Sequence, residues 1–177
     1  MVKITAINGS LRKNSANGLL LEVLKEIFSD IRFDVFDNLG LLPHFNPDLS
    51  VPQIVFDFKK SLHSSDYILI VTPEYAHGIP GVLKNALDWL VSDEALPNKD
   101  IVLFVCSAGD GQHAMSSLVE ITRTMSLNVK VERCFNISGI RSKFEGDKLI
   151  DQETKGLLVA LRKSLLLNAD LLSPKIS

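Results

Sequence analysis

The sequence predicts a doubly wound α/β domain, a five-stranded parallel sheet in the order 2-1-3-4-5 with helices on both faces. Two observations carry that expectation. Strand-like and helix-like segments alternate along all 177 residues, the pattern of a parallel sheet covered on both sides. The third and fourth strand-like runs, YILIVT and IVLFVCS, are continuously apolar, as strands buried on both faces are. Right-handed crossovers leave few orders for five such strands, and 2-1-3-4-5 is a common one. A hydrophobic content of 46% and this length suit a single domain over 1–177, burying roughly 70% of its unfolded surface.

Each element has its own signal. Val2 to Asn8 reads as a buried strand, and Ala16 to Ser29 as an amphipathic helix with Leu20, Leu24 and Ile27 on one face. Ile31 to Asp37 alternates apolar and polar residues, which suits a half-covered edge strand. A proline-containing loop, LGLLPHFNPDLS, leads into a helix from about Val51 to Ser64. After the strand Tyr67 to Thr72, Pro80 stands where a first helical residue tolerates proline, and the helix is expected to reach Val91. The strand Ile101 to Ser107, a helix from Gln112 to Ser126, a strand from Val129 to Ile137 and a helix from Gln152 to Leu172 complete the count.

Composition narrows the function. The formal net charge of −2 comes without a basic stripe, so the footprint of nucleic-acid binding is missing. No apolar run approaches the roughly 20 residues that span a bilayer. The chain enters its first strand almost at once, leaving no room for a secretory signal. Cys106 and Cys134 form no ligand spacing and read as inert core thiols in a reducing, cytoplasmic compartment. The four histidines show no metal-ligand spacing, there is no nucleophile elbow, and the first strand ends Ala6-Ile7-Asn8 rather than in an acidic cluster. No metal site is expected.

In a doubly wound sheet, ligands bind beyond the carboxyl ends of the strands, where the strand order reverses. The loops after strands one, three and four, GSLRKNSANG, PEYAHGIPG and SAGDGQ, should therefore build one site. A helix starting near Ala16 presents unpaired N–H groups and a partial positive charge, a ready anion site. Ser10 and Ser15 add hydroxyls, Asn17 an amide and Arg12 a planar fork suited to phosphate. No P-loop lysine or Mg²⁺ carboxylate accompanies them, so the phosphate is gripped rather than transferred. Taken singly, Ser15 is equally an ordinary helix N-cap and Arg12 a solvated surface residue. GDGQHA, Gly109 to Ala114, imitates a dinucleotide fingerprint but follows the fourth strand instead of the first.

With those residues in view, a family resemblance becomes specific. Gly9-Ser10-Leu11-Arg12 followed by Ser15 and Asn17 resembles the phosphate loop of the NADPH-dependent FMN reductase family, whose fold is a flavodoxin-like three-layer sandwich. Pro73 to Trp89 resembles that family's second signature, and LLPHFNPDL and KFEGDKLID resemble it as well. The resemblance implies that Ser10, Arg12, Ser15 and Asn17 bind the FMN phosphate. It also implies that Pro73, Glu74, Tyr75, His77 and Gly78 line the flavin, with Ser107, Ala108, Gly109 and Gly111 as a third wall. Ala76 departs from the common form of the motif, where asparagine often stands. Glu74 also reads as a helix-start charge and His77 as a solvated loop histidine.

The implied activity is an FMN-dependent NAD(P)H oxidoreductase: hydride passes from NADPH or NADH to bound FMN and on to a flavin, quinone, azo or metal-oxyanion acceptor. The cofactor carries the chemistry, and no catalytic side chain is assigned. The alternative is a flavodoxin-like electron carrier, or a redox-responsive FMN-binding protein, without turnover of its own. The helix after Pro80 carries two apolar stripes, Leu83-Leu87-Leu90 and Val82-Ala86-Trp89, and Met115, Leu118, Val119, Thr122 and Met125 broaden the next one. A sheet covers only one side of a helix, so these faces predict a homodimer, or a tetramer built from it. One deep core beneath both helices is the other reading.

Overall fold

The computed structural model describes residues 2–48 and 50–172, with side chains followed through Leu167. Five parallel strands form the sheet: β1 (Lys3–Asn8), β2 (Arg32–Phe36), β3 (Tyr67–Thr72), β4 (Asp100–Ser107) and β5 (Asn128–Ser138). Their order is β2-β1-β3-β4-β5, the one expected from the alternation of elements and right-handed crossovers. All six residues of β3 are buried, because β1 and β4 flank it and helices cover both faces. β2, at the edge, buries none of its five residues fully.

The helices divide by face. α1 (Ala16–Ile27) and α5 (Gln152–Leu172) cover one side, where Leu20, Leu24, Leu158 and Leu165 pack against Ile4, Leu69 and Phe104. α2 (Gln53–His63), α3 (Gly81–Asp88) and α4 (Gln112–Thr124) cover the other, where Phe58, Leu83 and Leu118 meet Ile7, Ile70 and Leu103. Burial of this kind contributes roughly 1.5–3 kcal/mol per large apolar side chain.

Two features depart from expectation. A small antiparallel hairpin, β6 (Phe144–Glu145) with β7 (Lys148–Leu149), stands between β5 and α5. Its two-residue strands are too short to leave a periodic signal. The second apolar stripe of α3 is not an open face. The segment after β2, with a 3-10 turn at Leu39–Leu41, folds over it as a strap. Trp89 Nε1 donates to the Pro43 carbonyl (2.8 Å), and the Phe45 ring meets Trp89 edge-on at 5.1 Å. Asn85 clamps the strap from both sides, donating to Pro43 O (3.0 Å) and accepting from Phe45 N–H (2.8 Å). Ala86 and Trp89 are buried within the chain. Met115, Leu118, Thr122 and Met125 are buried as well, while Val82 and Val119 are half-buried, so most of both stripes belongs to the chain's own core.

At the amino-terminal ends of the strands, far from the predicted site, β5 bulges between its pairings with Ile101 and Leu103. The bulge turns Arg133 inward, where its buried guanidinium pairs with Asp100 (2.7 Å) and lies 5.2 Å from the Tyr67 ring centroid. A buried charge of this kind is tolerable because it is paired.

Candidate functional site

A cavity of about 510 Å³ opens at the carboxyl ends of β1, β3, β4 and β5, within the usual range for small-ligand sites. Its lining draws on the loop after β1 (Ser10, Arg12, Asn14 to Asn17), the loop after β3 (Pro73 to Tyr75) and the end of β4 (Cys106 to Ala108). Gly139 to Ser142, after β5, closes it. The loops after strands one, three and four thus converge, as the topology requires.

The first loop is built as an array of donors. Its entry is pinned where Gly9 N–H donates to Val71 O (2.8 Å). Only glycine fits there: a Cβ would stand 2.8 Å from Thr72 Cβ and 3.2 Å from Leu83 Cδ2. Asn14 takes a left-handed conformation (φ 56°), which asparagine tolerates better than most residues, and this reverses the chain so that Ser15 caps α1. The Ser15 hydroxyl oxygen accepts from Gly18 N–H (3.0 Å), so the N-cap reading holds, and its O–H is left to donate elsewhere. Ser10 Oγ likewise accepts from Arg12 N–H (3.3 Å). With Gly18 N–H satisfied by the cap, Ala16 and Asn17 at the start of α1 face the cavity with donors of the kind an anion completes. The Asn17 side chain is 3% exposed, yet its Nδ2 has no hydrogen-bond partner. A buried amide left this way costs about 1–3 kcal/mol, a cost that a bound acceptor removes. Arg12 is exposed and has no acidic partner among the described residues.

The loop after β3 works differently. Tyr75 and Gly78 exchange two backbone hydrogen bonds (2.9 and 3.0 Å) around Ala76 and His77. Both central residues have positive φ, 48° and 58°. This is the two-residue hairpin turn that glycine and asparagine usually occupy. Glu74 is engaged already: Oε2 accepts from Ala114 N–H at the start of α4 (2.9 Å), and Oε1 lies 3.8 Å from His77 Nδ1. The helix-start reading of Glu74 therefore holds, and the helix is α4. His77 is exposed and its ring meets His113 edge-on at 4.5 Å.

Eight of the twelve predicted binding residues line the cavity: Ser10, Arg12, Ser15, Asn17, Pro73, Glu74, Tyr75 and Ser107. The other four, His77, Gly78, Gly109 and Gly111, stand outside its lining. Gly109 O accepts from the Ser107 hydroxyl (2.6 Å). Gly111 has a left-handed backbone (φ 70°), and a Cβ there would come 2.7 Å from Val105 Cγ1, so its smallness serves the entry to α4. Both thiols are held protonated by burial, which pushes Cys106 and Cys134 up from the usual range; Cys134 is only half-buried. Among the described residues no group of three or more His, Cys, Asp or Glu is placed to hold a metal ion, and no helix is long and apolar enough to cross a membrane. The contribution of Gly139 to Ser142 escaped the sequence reading. The signal available was the same strand-end rule, applied to the fifth strand.

Comparison with known proteins gives consistent matches. The family model described as NADPH-dependent FMN reductase matches residues 2–140. The chain is 33% identical to a potato (Solanum tuberosum) NAD(P)H:quinone oxidoreductase, over 93% of this chain and 91% of the relative. It is 44% identical to a 2-hydroxy-1,4-benzoquinone reductase of a Burkholderia species, over half of this chain and 49% of that one. Among solved structures, the flavoenzyme NAD(P)H:(acceptor) oxidoreductase FerB of Paracoccus denitrificans superposes with a TM-score of 0.80 at 25% identity, covering 93% of this chain and 94% of that one.

Proposed function

The chain belongs to the NADPH-dependent FMN reductase family, and from that premise we propose that it holds FMN in this cavity and reduces a small quinone at the expense of NAD(P)H. The observation that carries the reading is the buried, unpartnered Asn17 Nδ2 beside the start of α1. It is a donor set waiting for a phosphate or a polyol chain, and FMN offers both. When bound, FMN supplies the two-electron exchange that no side chain here can perform.

The chain's own residues bind and orient. Arg12, the Ser10 and Ser15 hydroxyls and the first N–H groups of α1 hold the phosphate. Pro73, Glu74 and Tyr75, with Ser107 and Ala108 at the end of the neighbouring strand, would flank the ring. Glu74 keeps that wall in register with α4 through its bond to Ala114.

A homodimer remains part of the proposal, on different grounds from the helix stripes. Leu41, Phe45, Val51, Phe56 and Val91 are exposed on the strap, at the start of α2 and after α3, the elements that cover one face of the sheet. A second copy would cover them, and sedimentation at micromolar concentration tests it; a monomer overturns it.

The functional test is steady-state NADPH oxidation by the FMN-loaded protein with and without 1,4-benzoquinone. Quinone-dependent turnover is expected. A protein that binds FMN but turns over no NADPH or NADH would be an electron carrier, and the proposal would fail.

A further inference from the structure

We propose that Arg141 recognises an anionic group on the second ligand that shares this cavity, so that it selects among donors or acceptors rather than gripping the cofactor. The inference rests on the functional reading above. Two arginines line the cavity, Arg12 and Arg141, against a single acid, Glu74. The Glu74 carboxylate is occupied at the start of α4, and neither guanidinium has an acidic partner among the described residues.

The loops that carry the two arginines also leave the sheet at opposite ends of the row. Arg12 follows β1 and Arg141 follows β5, with β3 and β4 between them, so the two parent strands lie about 14 Å apart at the ordinary strand spacing. Arg12 belongs with the donors of α1. Arg141 has no such array around it.

The segment that carries Arg141 is firmly built. Gly139 enters it with positive φ (59°), and its carbonyl accepts from both the Ser142 N–H and the Ser142 hydroxyl (2.9 Å each). Ile140 is buried beneath the same core as α1. On the far side, Lys143 pairs with Asp151 (2.9 Å), and its carbonyl accepts from Ile150 N–H (2.8 Å). Asp151 in turn caps α5, accepting from Thr154 N–H (2.9 Å) and Thr154 Oγ1 (2.6 Å). An exposed arginine between two anchored neighbours, lining a cavity and lacking a partner, is placed to meet a ligand. A planar guanidinium suits two anions that such a ligand brings: the adenosine 2′-phosphate of NADPH, or the conjugate base of a hydroxyquinone.

The test compares FMN-loaded wild type, Arg141→Gln and Arg141→Lys. Calorimetric titrations use NADP⁺ and NAD⁺; initial rates use 2-hydroxy-1,4-naphthoquinone and 1,4-naphthoquinone. If the phosphate is the partner, Arg141→Gln weakens NADP⁺ about tenfold and leaves NAD⁺ unchanged. If the enolate is the partner, KM rises about tenfold for the hydroxyquinone alone. In either case Arg141→Lys keeps most of the discrimination. Uniform loss across all four ligands, no change in any, or a parallel loss of FMN affinity in Arg141→Gln overturns the inference. A wild type that takes up no FMN defeats the functional reading and this inference with it; a working wild type matched by Arg141→Gln defeats this inference alone.

Discussion

The loops after β1 and after β3 wall the same cavity by opposite means. In the first, side chains are held ready for something outside the protein: a buried Asn17 amide without a partner, two hydroxyls whose lone pairs serve the loop while their protons stay free, and an unpaired Arg12. In the second, side chains are spent on the fold itself. Glu74 serves α4, and the His77 ring lies against His113. What that loop sets beside the cavity is Pro73, Glu74 and Tyr75, with the Tyr75 backbone already paired to Gly78. Residue types therefore announce the first wall and conceal the second.

The sharpest way to break this contrast is one substitution made in both loops. Gly9→Ala puts a methyl group 2.8 Å from Thr72 Cβ. It should lower stability by about 1–3 kcal/mol in urea unfolding, the cost of overpacking. Gly78→Ala meets only Tyr75 O at 3.9 Å and should stay within about 0.5 kcal/mol of wild type. Equal losses would mean that the two loops do not differ as described.

Glu74 sets the next scale. Glu74→Ala strips the acceptor from Ala114 N–H and should cost about 1 kcal/mol, as loss of a helix cap does. Glu74→Gln keeps a carbonyl acceptor and should cost less. Smaller again is Ala76→Gly. Alanine at φ 48° is strained and glycine is not, but glycine also loses more freedom on folding. A net gain of roughly 0.5 kcal/mol is expected, seen as a modest rise in Tm.

The strand order and the polar loop that lines the cavity after β1 were legible in the sequence for the same reason: both rest on local signals of strong character. Unbroken apolar runs mark β3 and β4, and six polar groups follow directly on a buried strand. The sequence misled about α3 because the strap that hides Trp89 depends on contacts some 40 residues apart, Asn85 and Trp89 with Pro43 and Phe45. Gly111 stands outside the cavity lining for a related reason. Its glycine answers to Val105, a demand that no motif records. Arg141 went unread because its neighbours, a 3-10 turn and a two-residue hairpin, have no period to detect.

Acid supplies a control outside both loops. Lys143 and the Thr154 hydroxyl and N–H hold the Asp151 carboxyl well below the usual carboxylate range. Its stabilising effect is complete above the unfolded value of about 3.9 and is lost as pH falls through the lower folded value. Asp151→Asn should therefore flatten the stability curve below about pH 4 and leave its shape above that unchanged, in denaturation followed by circular dichroism. A variant whose stability fell below about pH 4 as steeply as wild type's would contradict it.

The central claim is that the loop after β1 grips a phosphate. Fluorescence titration of the apoprotein with FMN and with riboflavin, repeated on Arg12→Ala, tests it most directly. The account predicts that wild type prefers FMN at least tenfold, in line with a charge-assisted contact of about 1.5–3 kcal/mol. It predicts that Arg12→Ala removes most of that preference and leaves riboflavin binding unchanged. Equal affinity of wild type for the two flavins would contradict it.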